Sequence, residues 1–250
     1  MPLAGCRIFD GIDDHAETAT ALDLSPYSAV TVLARVWWEV WGGLSLVFEH
    51  SNATGQNAGG FMIGNWYNGE GTWAVFMSSS GTYPTLPVHQ RNVTVPPTLN
   101  AWHSLGVLLN RAAAGHSEIM VYLDGVLVET TWIENPDGAP AGMGTDDCTG
   151  PFANQRFFLM SQQGTSGFGK GRLADVAIYG EALSASEQYI YALGNQADSF
   201  GTPIAYWPLE GVDSPEPDLA GSHPLTVVGT TQGPPPPSAA PTLAVSAGHV

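Results

Sequence analysis

Asn65-Trp66-Tyr67-Asn68 is the stretch of this 250-residue chain whose residue types best suit recognition chemistry. A flat aromatic face packs on the C–H groups of a pyranose ring, while flanking amides donate to and accept from its hydroxyls. The expectation is a sugar-binding loop made of Asn65, Trp66, Tyr67 and Asn68. The blander alternative is that one or both rings simply cover the edge of a sheet.

Catalysis finds less support. Glycoside hydrolysis needs two carboxyl groups placed on either side of the scissile bond, and the sequence holds no Glu-x-Asp-x-x-Glu arrangement. Near the centre of the chain the carboxylates are Glu118, Glu129, Glu134 and the turn residue Asp124, with no two of the glutamates spaced to share a strand face. The seven histidines show no His-Glu-x-x-His spacing, and no Cys-x-x-Cys occurs, so no zinc site is expected. Gly167-Phe168-Gly169-Lys170-Gly171 lacks the phosphate-loop spacing and reads as a hairpin loop. No catalytic residue and no metal ligand set is assigned, and the chain is expected not to be an enzyme. No cofactor is expected either, with Ca²⁺ the one alternative left open. Asp13, Asp14, Asp146 and Asp147 are available carboxylates, but a hard cation needs about six converging oxygens.

The elements that would position such a loop centre on residues 98–132. Glu118–Leu123 and Val126–Thr131 are strand-like runs separated by Asp124-Gly125, a dipeptide suited to a two-residue type I′ turn. That turn sets Leu123 opposite Val126, Val121 opposite Val128 and Ile119 opposite Thr130, a face expected to point into a core. Tyr122 and Leu127 share the other face. Trp102–Leu109 predicts a third strand, and the alternation Val30, Val32, Ala34, Val36 marks another. One helix is expected, with Ser184 and Glu187 forming a capping box, Gly194 closing it, and Ile190 and Leu193 facing inward.

Composition narrows the class. Charged residues make up 12% of the chain against 30 Gly and 19 Pro, which suits many short strands and turns. Seven Lys plus Arg against 23 Asp plus Glu give a net charge of −16, so nucleic acid and anionic membrane surfaces are excluded as partners. No window reaches the ~18 consecutive apolar residues of a membrane helix. Cys6 and Cys148 read as two free thiols rather than a disulfide framework, with a single disulfide left open if the fold brings them together. Met1–Gly5 has neither a basic nor an apolar leader region, so the chain is expected to stay in the cytosol where it is made.

One domain is expected over residues 1–231, with 203–231 as a closing segment. Residues 232–250 form a Pro-rich tail or arm, because Pro234–Pro237 breaks regular structure.

The order of Phe9-Asp10-Gly11-Ile12-Asp13-Asp14, Gly60-Phe61-Met62-Ile63-Gly64, Ala101-Trp102-His103-Ser104, Val121–Gly125 and Gly171–Tyr179 followed by Ala182-Leu183-Ser184 resembles the laminin-G-like jelly-roll domains of the concanavalin A-like lectin/glucanase superfamily. The resemblance covers about residues 6–194. It implies an all-β fold, a two-sheet antiparallel jelly-roll sandwich with one short helix. In the family, a segment like 205–228 commonly precedes the Phe-Asp-Gly motif; here it follows the helix, closing either its own sandwich or a neighbour's. The resemblance also implies recognition or adhesion rather than catalysis. Together with the missing leader and the single lysine, it leads to the expectation of a phage virion component, a minor tail or capsid decoration protein assembled in the host cytoplasm. Its expected partners are other virion proteins or copies of itself, held through the C-terminal tail, and a glycan. The alternative is a cell-surface or extracellular lectin-like module, and a glycosidase comes third.

Overall fold

The computed structural model describes residues 3–40, 44–51, 59–65, 73–78, 88–95, 97–113, 118–132, 148, 150–211 and 214–237. The first eight strands are β1 (Cys6–Asp10), β2 (His15–Thr18), β3 (Leu22–Asp23), β4 (Ala29–Trp38), β5 (Ser45–Ser51), β6 (Phe61–Asn65), β7 (Trp73–Ser78) and β8 (Val88–Val93). There follow β9 (Trp102–Asn110), β10 (Ile119–Leu123), β11 (Val126–Leu127), β12 (Thr130–Trp132), β13 (Asn154–Leu159) and β14 (Lys170–Tyr179). The helix α1 (Ala185–Ala192) comes next, before β15 (Ala205–Trp207), β16 (Leu225–Val228) and β17 (Thr231–Gly233).

These strands form two antiparallel sheets. One is 8-stranded, ordered β11-β10-β9-β4-β14-β1-β17, with β15 also on β14; the other is 9-stranded, ordered β12-β8-β7-β6-β5-β13-β2-β16, with β3 also on β13. Inner-face side chains meet between them: Val30, Val32, Ala34 and Val36 of β4 join Phe61, Ile63, Val75, Phe157 and Trp207 in one core. Phe157 and Trp207 stack at 5.8 Å. Each fully covered large side chain contributes roughly 1.5–3 kcal/mol. This is the expected all-β jelly-roll sandwich. Among the described residues no helix is long and apolar enough to cross a membrane.

The Asp124-Gly125 turn is present, with φ of 51° and 78°, and sets Leu123 opposite Val126 and Tyr122 opposite Leu127 as expected. Beyond Leu127 the expected register fails. Val128 is half-buried and still donates its N–H to Val121 O at 2.9 Å, but Thr130 pairs with Val93 in the second sheet instead of Ile119. The chain crosses between sheets there, which shortens one edge strand and supplies the other sheet's margin. Val126, expected inside, is consequently 44% exposed.

The helix shows a second departure. Its capping box forms, Glu187 N–H donating to Ser184 Oγ at 3.3 Å and Ser184 N–H to the Glu187 carboxylate at 2.7 Å. It buries Gln188, Tyr191 and Ala192, whereas Ile190 and Leu193, expected inward, are 41% and 56% exposed. The outer face of the first sheet explains the choice. Arg35 lies 4.3 Å from the centre of the Tyr191 ring, and Tyr191 OH donates to Asp175 O at 3.2 Å. An aliphatic residue at that point would satisfy neither group.

Asp175 itself adopts φ 57° at the irregularity where β14 passes from β1 to β15 as a partner. Residues 205–233 add strands to both sheets of their own chain: β15 to β14, β16 to β2 and β17 to β1. Arg7 of β1 pairs with Glu216 at 2.7 Å, both side chains 5% exposed. Cys6 and Cys148 are free and buried, and burial pushes the Cys6 thiol up to about 11.

Candidate functional site

At one end of the sandwich the β3–β4 connection, the residues after β9 and the Gly150-Pro151 segment enclose a cleft of about 310 Å³. Its shape follows from local hydrogen bonds. Ser25 N–H donates to Asp23 Oδ1 at 3.0 Å, the side-chain-to-backbone turn that Asp favours. Tyr27 N–H donates to Leu24 O at 3.1 Å. The Ser25 hydroxyl and N–H together hold the Asp23 carboxyl below the ordinary carboxylate range. Ser25, Tyr27 and Ser28 are thereby presented from a fixed loop.

Arg111 builds the opposite wall. Its N–H donates to Ser28 O at 2.8 Å, its guanidinium to Ser78 O at 2.6 Å and Gly150 O at 3.3 Å, and its charge lies 4.3 Å from the Phe152 ring centre. Burial lowers its pKa from the ordinary guanidinium value. The lining thus combines an aromatic ring, two hydroxyls, an arginine and the apolar surfaces of Pro26 and Pro151. Among the described residues that line it there is no carboxylate, histidine or cysteine. Such a surface can pack against a polyhydroxylated ring and bond its hydroxyls.

The sequence-named loop begins at the other end. Asn65, opposite Trp73 in the register, is 1% exposed, and among the described residues neither its Oδ1 nor Trp73 Nε1 has a hydrogen-bond partner. Trp73 packs edge-on against Trp38 at 5.5 Å. Trp66, Tyr67 and Asn68 lie outside the described residues. Ser78 and Trp73 are the two ends of β7, so ~17 Å of strand separates the cleft from Asn65.

Two further clusters sit at the margins. On the outer face of the first sheet, Trp102, Trp37 and Arg172 are neighbours across β9, β4 and β14. Arg172 lies 4.8 Å from the Trp37 ring centre, and Trp37 meets Trp102 edge-on at 6.0 Å. These groups spend their faces on one another. Asp10, Asp13 and Asp14 bring carboxylate oxygens within 4.8 Å of one another. Asp13 and Asp14 are two of the four calcium candidates; Asp146 and Asp147 lie outside the described residues. Asp14 Oδ2 accepts from Asp10 N–H at 2.9 Å and Asp10 Oδ1 from Ile12 N–H at 2.7 Å, so turn closure already occupies two of the oxygens. Burial raises the Asp14 pKa. His103, read as a strand histidine satisfied by neighbours, bonds Asp124 at 2.8 Å and Thr98 Oγ1 at 3.0 Å.

Sequence reading missed Tyr27, Ser28 and Arg111. Ser25-Pro26 was legible as a turn, and Arg111 is the one charged residue between His103 and Glu118. Their convergence was not, because it depends on residues more than 80 positions apart folding against each other.

The fold is similar to two solved structures in particular. A native heptameric SAP-like pentraxin from Limulus polyphemus shares 14% identity and a TM-score of 0.58, over 93% of this chain and 96% of that one. A Bacteroides ovatus protein described as carbohydrate binding shares 13% identity and a TM-score of 0.62, over 95% of this chain and 62% of that one. No curated protein sequence matches the chain. The family model for laminin-G-like domains of the concanavalin A-like lectin/glucanases superfamily matches residues 10–187. With that match spanning most of both sheets and reaching the first turn of the helix, the chain belongs to this laminin-G-like family of the concanavalin A-like lectin/glucanase superfamily.

Proposed function

We propose that the chain is a non-enzymatic saccharide-recognition module whose cleft at Tyr27 takes a neutral sugar unit. The observation that carries this is the cleft's content: one ring, two serine hydroxyls and one arginine around about 310 Å³, with no acid–base pair among the described lining residues. The volume is at the small end of ligand pockets, which run from ~300 to 1,000 Å³. Neutral glycans are favoured because a net charge of −16 repels polyanions. The description of the Bacteroides ovatus neighbour as carbohydrate binding supports the class. Such a module works at a cell surface or outside the cell.

Ser28→Trp fills the cleft from an exposed position, and Tyr27→Ala removes its ring. Neutral oligosaccharides selected on a glycan array and titrated calorimetrically should lose at least tenfold in affinity to both variants. Undiminished binding by folded Ser28→Trp sinks the cleft. Trp66, Tyr67 and Asn68 are a second proposed contact, and Trp66→Ala tests them in the same assay.

A narrower placement on a phage particle draws on the Pro-rich segment, whose base is tied down where Thr231–Gly233 pairs with β1. Deleting residues 238–250 should then abolish assembly with other particle proteins while leaving sugar binding intact. Unchanged assembly removes this placement.

A further inference from the structure

The margin of the first sheet carries an apolar surface that the cleft does not use. Val126 and Leu127 of β11 are 44% and 53% exposed, and Tyr189, Ile190 and Leu193 along α1 are 49%, 41% and 56% exposed. Hairpin and helix adjoin: a methyl group added at Gly125 would lie 2.9 Å from both Tyr189 Cα and Ala192 Cβ. Ile190 and Tyr189 lie three and four residues before Leu193, so both adjoin it on one side of the helix. Leu127 shares its sheet face with Tyr122 and Gly106, the face against which α1 packs, so four large apolar side chains are gathered there with Val126 on the opposite side of the same edge, whereas Ile12, Val95 and Leu219 are exposed singly elsewhere. A gathered patch of this kind marks an interaction surface.

Charge decides what fits it. The chain has seven Lys plus Arg, and none borders the patch. Arg35 is buried under α1, Arg7 and Arg91 are buried within the sandwich, and Arg111 lines the cleft. Arg156 is on β13, and Lys170 and Arg172 are on β14. The rim is acidic. Exposed Glu129 follows Leu127 by two residues, Glu187 precedes Ile190 by three, and Asp124 stands at the turn.

A second copy would bring acid against acid at a net charge of −16 each. We infer that the β11–α1 face docks a protein partner presenting an apolar ridge flanked by lysine or arginine. β11 is the terminal strand of its sheet, so its outer backbone groups can also accept an added strand. This surface is separate from the sugar cleft, and its occupant does not depend on that reading.

The test uses the full chain and a synthetic amphipathic peptide with leucine on one face and lysine on the other. Its counterpart carries glutamate in place of lysine. The Leu/Lys peptide should bind in fluorescence anisotropy, weaken as salt rises, and lose at least tenfold in affinity to the Leu127→Asp/Leu193→Asp double variant. The Leu/Glu peptide should not bind. Both substituted residues are largely exposed, so the fold should survive, as near-ultraviolet circular dichroism will verify. Equal binding to wild type and double variant overturns the inference, because attraction to the overall negative charge then suffices. Absence of Leu/Lys binding overturns it as well. So does concentration-dependent self-association that the double variant abolishes, which would make the occupant a second copy.

Discussion

Asp124 and His103 are joined across the β9–β10 pair, Nδ1 to Oδ2 at 2.8 Å, while Asp124 Oδ1 accepts from Ser104 N–H at 2.9 Å. The turn residue therefore fastens the hairpin to its neighbouring strand as well as reversing the chain. Asp124→Ala should lose both contacts and add strain at φ 51°, costing about 2–4 kcal/mol. Asp124→Asn tolerates that conformation and keeps an acceptor, so it should cost less than half as much. Urea midpoints of the two variants check the order.

The Arg7–Glu216 pair ties β1 to the segment before β16. Glu216→Gln leaves a buried guanidinium short of its counter-charge and should cost about 3–5 kcal/mol. The double replacement Arg7→Met/Glu216→Met should regain most of that loss, since a buried pair is often exchangeable for apolar packing. Equal destabilisation by single and double variants would show that the segment is held by other contacts.

Two buried groups titrate in opposing directions. Burial lowers His50 from 6.5 to about 4, so its contribution is present above pH 6.5 and is lost as pH falls towards 4. Burial raises Asp175 from 3.8 to about 6, so its contribution is complete below pH 3.8 and is lost as pH rises through 6. Each amounts to about 3 kcal/mol, and they offset each other between pH 4 and 6. Asp175→Asn should therefore steepen the loss of stability in acid. His50→Gln should reverse the slope, so that acid stabilises. Thermal midpoints from pH 4 to 7 read both.

Gly106 lies under α1, where an added methyl group would collide with Gln188 Oε1 and approach its Cδ to 2.8 Å. Gly106→Ala should cost about 1–3 kcal/mol. Adding Gln188→Ala should restore most of the stability, because the clash is with one side chain and not with backbone. Failure of that rescue would mean the sheet itself has shifted.

Much of the architecture was legible because local signals and global fold agree. Asp124-Gly125 needs positive φ, Ser184 and Glu187 need each other, and the β4 alternation fits a sheet face. Failures came where a residue's partner is remote. Ile190 and Leu193 look like the apolar face of α1, yet Arg35 and Asp175, far away in sequence, give Tyr191 that place. Val128 and Thr130 continue an alternating strand, but the open margin of β8 draws Thr130 to the other sheet. The cleft was illegible for the same reason: Tyr27 and Arg111 are unremarkable until β4 and β9 pair.

The lateral pairing of β1 with β17 also sets a timetable. A ribosome adds about 5–20 residues per second, so Cys6 waits on the order of ten seconds or more before Gly233 exists to bond beside it. Throughout that interval the nascent sheet has an unguarded margin and Arg7 has no Glu216. The first sheet therefore stays one strand short at this edge until residues 231–233 have been made, and β1 can be guarded there only by a strand more than 220 residues downstream.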